Sequence, residues 1–194
     1  MRKLFVLGIF FFFYNCSEGQ IIEKLNEEEK RLLETFKSLS DSASLKMTTA
    51  TEPGEKLMLC ITFINKATAG VLTNQKVLLY QTNKNGAYEP SDPEDQTTAK
   101  IKATGFTDEK GRLFVETILP GSYGSSGDNR HIHIQVFDAK PEAYDIFFKD
   151  YLSTSLMTRF ASGNNDQFFV AKLKYTEADA LICFVDIKVK NQKN

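Results

Sequence analysis

From Leu57 onward, apolar and polar residues come in short runs rich in Val, Ile, Phe, Tyr and Thr, at 57–65, 76–82, 99–106, 112–118, 131–138, 167–175 and 180–190. Runs of that length and composition predict β-strands, whose side chains point to alternate faces. Turn chemistry separates several of them: Asn83 to Gly86, Asp108 to Gly111, and the Gly- and Ser-rich stretch from Pro120 to Gly127. No strand–helix–strand alternation, phosphate-type glycine loop or internal repeat interrupts the series. The expected class is therefore all-β, a β-sandwich of about seven or eight strands. Residues 141–165 follow neither period and read as irregular or partly helical.

Upstream the period changes. Ile21, Ile22, Leu25, Leu32, Leu33, Phe36 and Leu39 recur at helical spacing around the charged run Glu27 to Arg31, predicting one amphipathic helix over 21–40. Ser38 to Gly54, rich in Ser, Thr, Asp and Gly, reads as linker. The first residues follow another logic. Arg2 and Lys3 precede an apolar run, Leu4 to Phe13, far shorter than the ~20 residues of a spanning helix but suited to a secretory signal. Cys16, just after it, resembles the lipid-attachment cysteine of bacterial lipoproteins. The division expected is a signal peptide at 1–15, helix and linker at 16–54, and the sandwich at 55–194. The protein is expected to be exported, either anchored in a membrane only through lipid on Cys16 or simply cleaved and secreted.

Composition narrows the function. The 194 residues hold 24 basic and 25 acidic side chains, a balance without the basic footprint that nucleic acid attracts. Of three cysteines, Cys60 and Cys183 lie in apolar strand-like runs and read as buried free thiols. Only two histidines exist, His131 and His133. Residues two apart in a strand share a face, so both imidazoles project together and could chelate one metal ion. A three-histidine site is impossible within one chain. Further ligands must be carboxylate, thiolate or phenolate; the apolar setting of the cysteines disfavours thiolate, and phenolate would indicate a hard trivalent ion such as Fe(III).

Gly111-Arg-Leu-Phe-Val-Glu-Thr-Ile-Leu-Pro-Gly-Ser-Tyr123, followed by His131-Ile-His133, resembles the core of the intradiol ring-cleavage dioxygenases. These are non-haem Fe(III) enzymes that open catechol-type rings between the two hydroxylated carbons. Val77 to Tyr88 is similar to the family's strand and turn ending in its first tyrosine ligand, and Gly105 to Gly111 to the hairpin before the second. The likeness is good from about Leu57 to Phe137 and faint beyond. It implies Fe(III) as cofactor, held by Tyr88, Tyr123, His131 and His133. It also implies an aromatic diol and O2 as substrates, with Tyr88 leaving the metal to accept a proton.

Two departures bear on catalysis. Where the family usually places an Arg three residues before the first His, this chain has Asp128, with Arg130 directly before His131. Arg130 is the candidate for stabilising charge on the activated ring. In a regular strand it faces away from the ligands, and a twist or bulge is needed to return it. Asp145 stands where the family tends to carry a Gln. Beside the enzyme reading there is thus a second, a metal- or diol-binding sandwich without efficient ring cleavage. A third is a transthyretin-like accessory domain without metal.

Overall fold

The computed structural model describes residues 22–124, 129–162 and 166–190. The expected signal segment, Cys16 and Asp128 lie outside the described residues. Ten strands are described, in two five-stranded sheets. The first, in spatial order, is β1 (Ser44–Lys46), β5 (Arg112–Ile118), β2 (Lys56–Asn65), β10 (Leu181–Val189) and β9 (Lys174–Tyr175). The second is β4 (Ile101–Phe106), β3 (Lys76–Gln81), β6 (Asn129–Val136), β7 (Ala143–Leu152) and β8 (Phe168–Ala171). The all-β sandwich is thus the observed architecture.

Strand alternation builds the core between the sheets. Leu57, Leu59, Ile61 and Phe63 of β2 and Leu181, Cys183, Ile187 and Val189 of β10 point inward from the first sheet. Val77, Leu79, Ile132, Ile134, Val136, Tyr144, Ile146 and Phe148 meet them from the second. Removing this much apolar surface from water is the main force holding the two sheets together. The intervening residues face outward, and the two sheets treat them differently. Cys60, Phe114 and Ile182 lie under helix α1 (Glu27–Lys37), against its Leu33 and Phe36. Cys60 and Cys183 are buried and unpaired; burial pushes both thiols above their ordinary pKa.

The structure differs from the sequence reading at four places. The helix begins at Glu27 rather than residue 21, because Asn26 caps it. Asn26 Oδ1 accepts from the Glu29 amide and Glu29 Oε2 accepts from the Asn26 amide, each at 2.9 Å, the reciprocal pair of a capping box. Residues before the cap run extended, with the Leu25 amide donating to the Tyr175 carbonyl. The stretch 38–54 is more than linker: Ser44–Lys46 pair in parallel with β5 and bury Leu45, flanked by buried Ala43 and Met47. Residues 141–165 hold all of β7 and a helix α2 (Thr154–Ser162), and 167–175 divides into β8 and β9. These account for the strands beyond seven. Among the described residues no helix is long and apolar enough to cross a membrane.

Candidate metal centre

The outer face of the second sheet carries the chemistry. On β6, Ile132 and Ile134 enter the core, so His131 and His133 emerge together on the other side. Tyr80 of β3 lies opposite His133 in the register and stacks on it, centroids 4.6 Å apart and planes at 21°. From β7, Phe147 stands opposite His131 and stacks on it at 4.8 Å and 25°. Both rings are thereby held in one orientation. Phe147 in turn meets Phe160 of α2 and Phe168 of β8, at 4.8 and 5.5 Å, an apolar wall beside His131.

Two loops bring the tyrosines. One follows β3 and the other follows β5, and Gln81 ties their roots. Its buried amide donates to the Ile118 carbonyl at 2.8 Å and accepts from Thr117 Oγ1 at 3.0 Å. Leaving such partners unsatisfied in the core would cost about 1–3 kcal/mol, so the ends of β3 and β5 stay together. Thr82 Oγ1 then donates to the Gly121 carbonyl, and the Gly121 amide to the Asn83 carbonyl. The backbones touch so closely that a Cβ at Gly86 would lie 2.0 Å from the Ser122 carbonyl oxygen, and Gly86 also turns at φ +83°. Only glycine fits there. This contact carries Tyr88 and Tyr123 to one place, ring centroids 5.6 Å apart.

The four side chains converge. Tyr88 Oη is 2.7 Å from His133 Nε2, His133 Nε2 is 3.2 Å from His131 Nε2, and the Tyr123 ring lies 5.3 Å from that of His131. The outer ring nitrogens fix the tautomers. His131 Nδ1 faces the Asn129 carbonyl at 2.5 Å and His133 Nδ1 faces Asp145 Oδ1 at 2.6 Å. A carbonyl and a carboxylate only accept, so both Nδ1 atoms donate. Each Nε2 then presents a lone pair to the other. Burial, with the neighbouring His133 adding to it, lowers the pKa of His131 and favours its neutral form. Burial, then Tyr123 and Tyr80, raises that of Tyr88.

Without metal the Tyr88 hydroxyl donates to the His133 lone pair, and an ion placed between the two nitrogens would draw both lone pairs. Ligands bound to one ion at about 2.0–2.1 Å and at right angles sit about 3 Å apart, which matches the two Nε2 atoms. The residues therefore fit a metal, and the donor set of two imidazoles and two phenols suits ferric iron.

A sequence profile of the family described as "Dioxygenase" matches residues 34–193, nearly the whole described chain. This chain belongs to the dioxygenase family. Its fold is shared with solved members. The dioxygenase domain of a dioxygenase carbohydrate-binding protein fusion from Streptomyces sp. SirexAA-E superposes with a TM-score of 0.56 at 18% identity, over 80% of this chain and 93% of that one. An intradiol ring-cleavage dioxygenase from Tetranychus urticae gives 0.55 at 16%, over 80% and 92%. Catechol 1,2-dioxygenase from Pseudomonas arvilla C-1 gives 0.59 at 19%, over 78% of this dioxygenase-family chain and 57% of its own. At these identities the likeness is one of fold. No curated protein is matched by the sequence.

Arg130 stands apart from the cluster. Its guanidinium lies over the Tyr151 ring, 4.3 Å from the centroid, and its Nε is buried without a hydrogen-bond partner. The irregularity that could have turned it inward exists, since β6 advances from Asn129 to His131 while β7 runs from Leu152 back to Phe147. The extra residues are on β7. Sequence reasoning missed Tyr80 and Phe147 as walls. Their signal was alternation: Val77 and Leu79 inward leaves Tyr80 outward, and Ile146 and Phe148 inward leaves Phe147 outward.

Proposed function

We propose that this protein is a non-haem Fe(III) intradiol-type dioxygenase, which opens an aromatic diol between its hydroxylated carbons using O2. The observation that carries this reading is the meeting at His133 Nε2 of Tyr88 Oη, 2.7 Å away, and His131 Nε2, 3.2 Å away, with the Tyr123 ring 5.3 Å from that of His131. His131 and His133 would hold the ion through Nε2, and Tyr88 and Tyr123 through their phenolic oxygens. Bound there, ferric iron supplies Lewis acidity toward a chelated diol and access to dioxygen chemistry.

The chain's own residues do the rest. Tyr88 is the proton carrier: as a phenolate on the ion it would be released when the diol binds and take up the proton a diol hydroxyl sheds, the protonated form being the one that burial favours. Stacking by Tyr80 and Phe147 keeps the imidazoles from turning. Phe147, Phe160 and Phe168 offer an apolar surface to an aromatic ring and exclude water from one side of it. Tyr123, 39% exposed, is on the open side.

A second reading, a sandwich that binds metal and diol without efficient ring cleavage, is favoured by one observation. Arg130 stacks on Tyr151, and among the described residues its guanidinium makes no hydrogen bond or ring contact with the four converging side chains. The deciding experiment loads the protein with Fe(III) and follows oxygen uptake across catechols, protocatechuates and hydroxyquinols. Phenolate bound to ferric iron gives a visible charge-transfer band, so the loaded protein is expected to be coloured and to consume oxygen with ring-opened dicarboxylate as product. Spectral shifts on adding diol without oxygen uptake would support the binding sandwich. A colourless protein that takes zinc as well as ferric iron would end both metal readings.

A further inference from the structure

Building on the ferric-site reading, we propose that Asp145 is a positioning residue for His133: it orients and charges that imidazole as a ligand and does not itself bind the metal. Asp145 stands directly opposite His133 in the β6–β7 register, and Oδ1 meets Nδ1 at 2.6 Å, each side chain 18% exposed. The pair is thus drawn mostly out of water, where an N–H to carboxylate contact is strong. His131 is treated differently, its Nδ1 donating to the neutral Asn129 carbonyl. One imidazole of the site is backed by a neutral dipole and the other by a carboxylate.

The arrangement excludes a simpler role. His131, His133 and Asp145 each offer a ligand atom, all within 4.8 Å of one another, and two histidines with one carboxylate can form a three-ligand metal site. Here, however, the carboxylate oxygen lies against Nδ1. His131 Nε2 and Tyr88 Oη lie against Nε2, on the other edge of the same ring. An ion held by both Nε2 atoms has the His133 ring between itself and Asp145 Oδ1. Asp145 therefore acts through the ring. A carboxylate on the far nitrogen raises the basicity of the metal-bound one, and a stronger donor favours the trivalent over the divalent ion.

The test compares the wild type with Asp145→Asn, which keeps an acceptor at Nδ1 but removes the charge. Losing such a partner weakens metal affinity about 10- to 100-fold. Expressed on the ferric form alone, that raises the Fe(III)/Fe(II) potential by about 60–120 mV, at 59 mV per tenfold for one electron. The variant is expected to bind one iron, with a higher potential and a charge-transfer band at longer wavelength, because phenolate donates more easily to an electron-poorer ion. A coloured wild type whose band and potential are shared by Asp145→Asn overturns the proposal alone. Loss of iron from a variant with an unchanged circular dichroism spectrum also overturns it, by making Asp145 a ligand. A wild type without any charge-transfer band overturns the ferric reading on which the tuning depends. Independently of iron, long-range 1H–15N spectra of the metal-free wild type should show His133 with its proton on Nδ1; a proton on Nε2 instead refutes the positioning.

Discussion

In the first sheet the outward residues Cys60, Phe114 and Ile182 disappear beneath helix α1, meeting Leu33 and Phe36; in the second, the outward positions of β3, β6 and β7 hold Tyr80, His131, His133, Asp145 and Phe147. The inward faces of the two sheets are alike in character, both apolar and mainly aliphatic, with Phe63 on one and Tyr144 and Phe148 on the other. The difference lies in what covers the outside. A helix with an apolar stripe asks only for area, and any well-shaped hydrophobe satisfies it. The second face is covered by two loops and by α2 with its Phe160, so polar groups there can be paired with each other one by one. Stability and chemistry are therefore separable in this molecule. Damage to one outer face should leave the other readable.

The largest effect expected is at the site. His131→Ala removes one of two same-face imidazoles and should abolish iron binding and colour, measured by metal analysis and visible absorption, while the metal-free fold persists. Iron retained at full stoichiometry would mean that the second sheet does not hold the metal. Next comes Phe36→Ala under the helix. Phe36 is 3% exposed and packs edge-on to Phe184 at 6.4 Å, so truncation should cost about 3–5 kcal/mol in urea melts without moving the iron band of the folded protein. A shifted band would show that the two faces are coupled through the core. The smallest effect is that of Arg130→Ala. With the guanidinium on Tyr151, turnover and colour should hardly change. A fall of about a hundredfold or more, the scale of losing one preorganised donor, would instead bring Arg130 into the reacting pocket.

Much of this was legible in advance. Strand alternation identified the sandwich and put both histidines on one face, because period two is a property of the backbone itself. The resemblance singled out Tyr88 and Tyr123, whose convergence depends on the contact of Gly86 with residue 122. That contact lies between loops distant in sequence, and neither loop announces it alone. Strand β1 was concealed because its three residues sit in a Ser- and Thr-rich stretch, and only the buried series Ala43, Leu45 and Met47 betrays it. Strand β7 was missed for a related reason. Its outward positions, from Asp145 to Tyr151, mix acid, base and aromatic side chains, since that face serves a site at Asp145 and Phe147 and water at the exposed Lys149. Arg130 depended on a bulge, and the side of the ladder that takes the extra residues is decided by packing.

The pairing of β2 with β10 has a consequence for how the chain reaches this state. Leu57 lies beside Leu181 and Asn65 beside Val189, in parallel along the whole of both strands. The centre of the first sheet thus joins an early strand of the sandwich to its last. A contact spanning that much sequence gives the folding nucleus little to gain until a long loop has closed, so assembly is slow and sensitive to order. Until β10 arrives, β2 offers an unpaired apolar edge to any other strand. The arrival of β10, rather than any single residue, governs when this sandwich becomes safe from its neighbours.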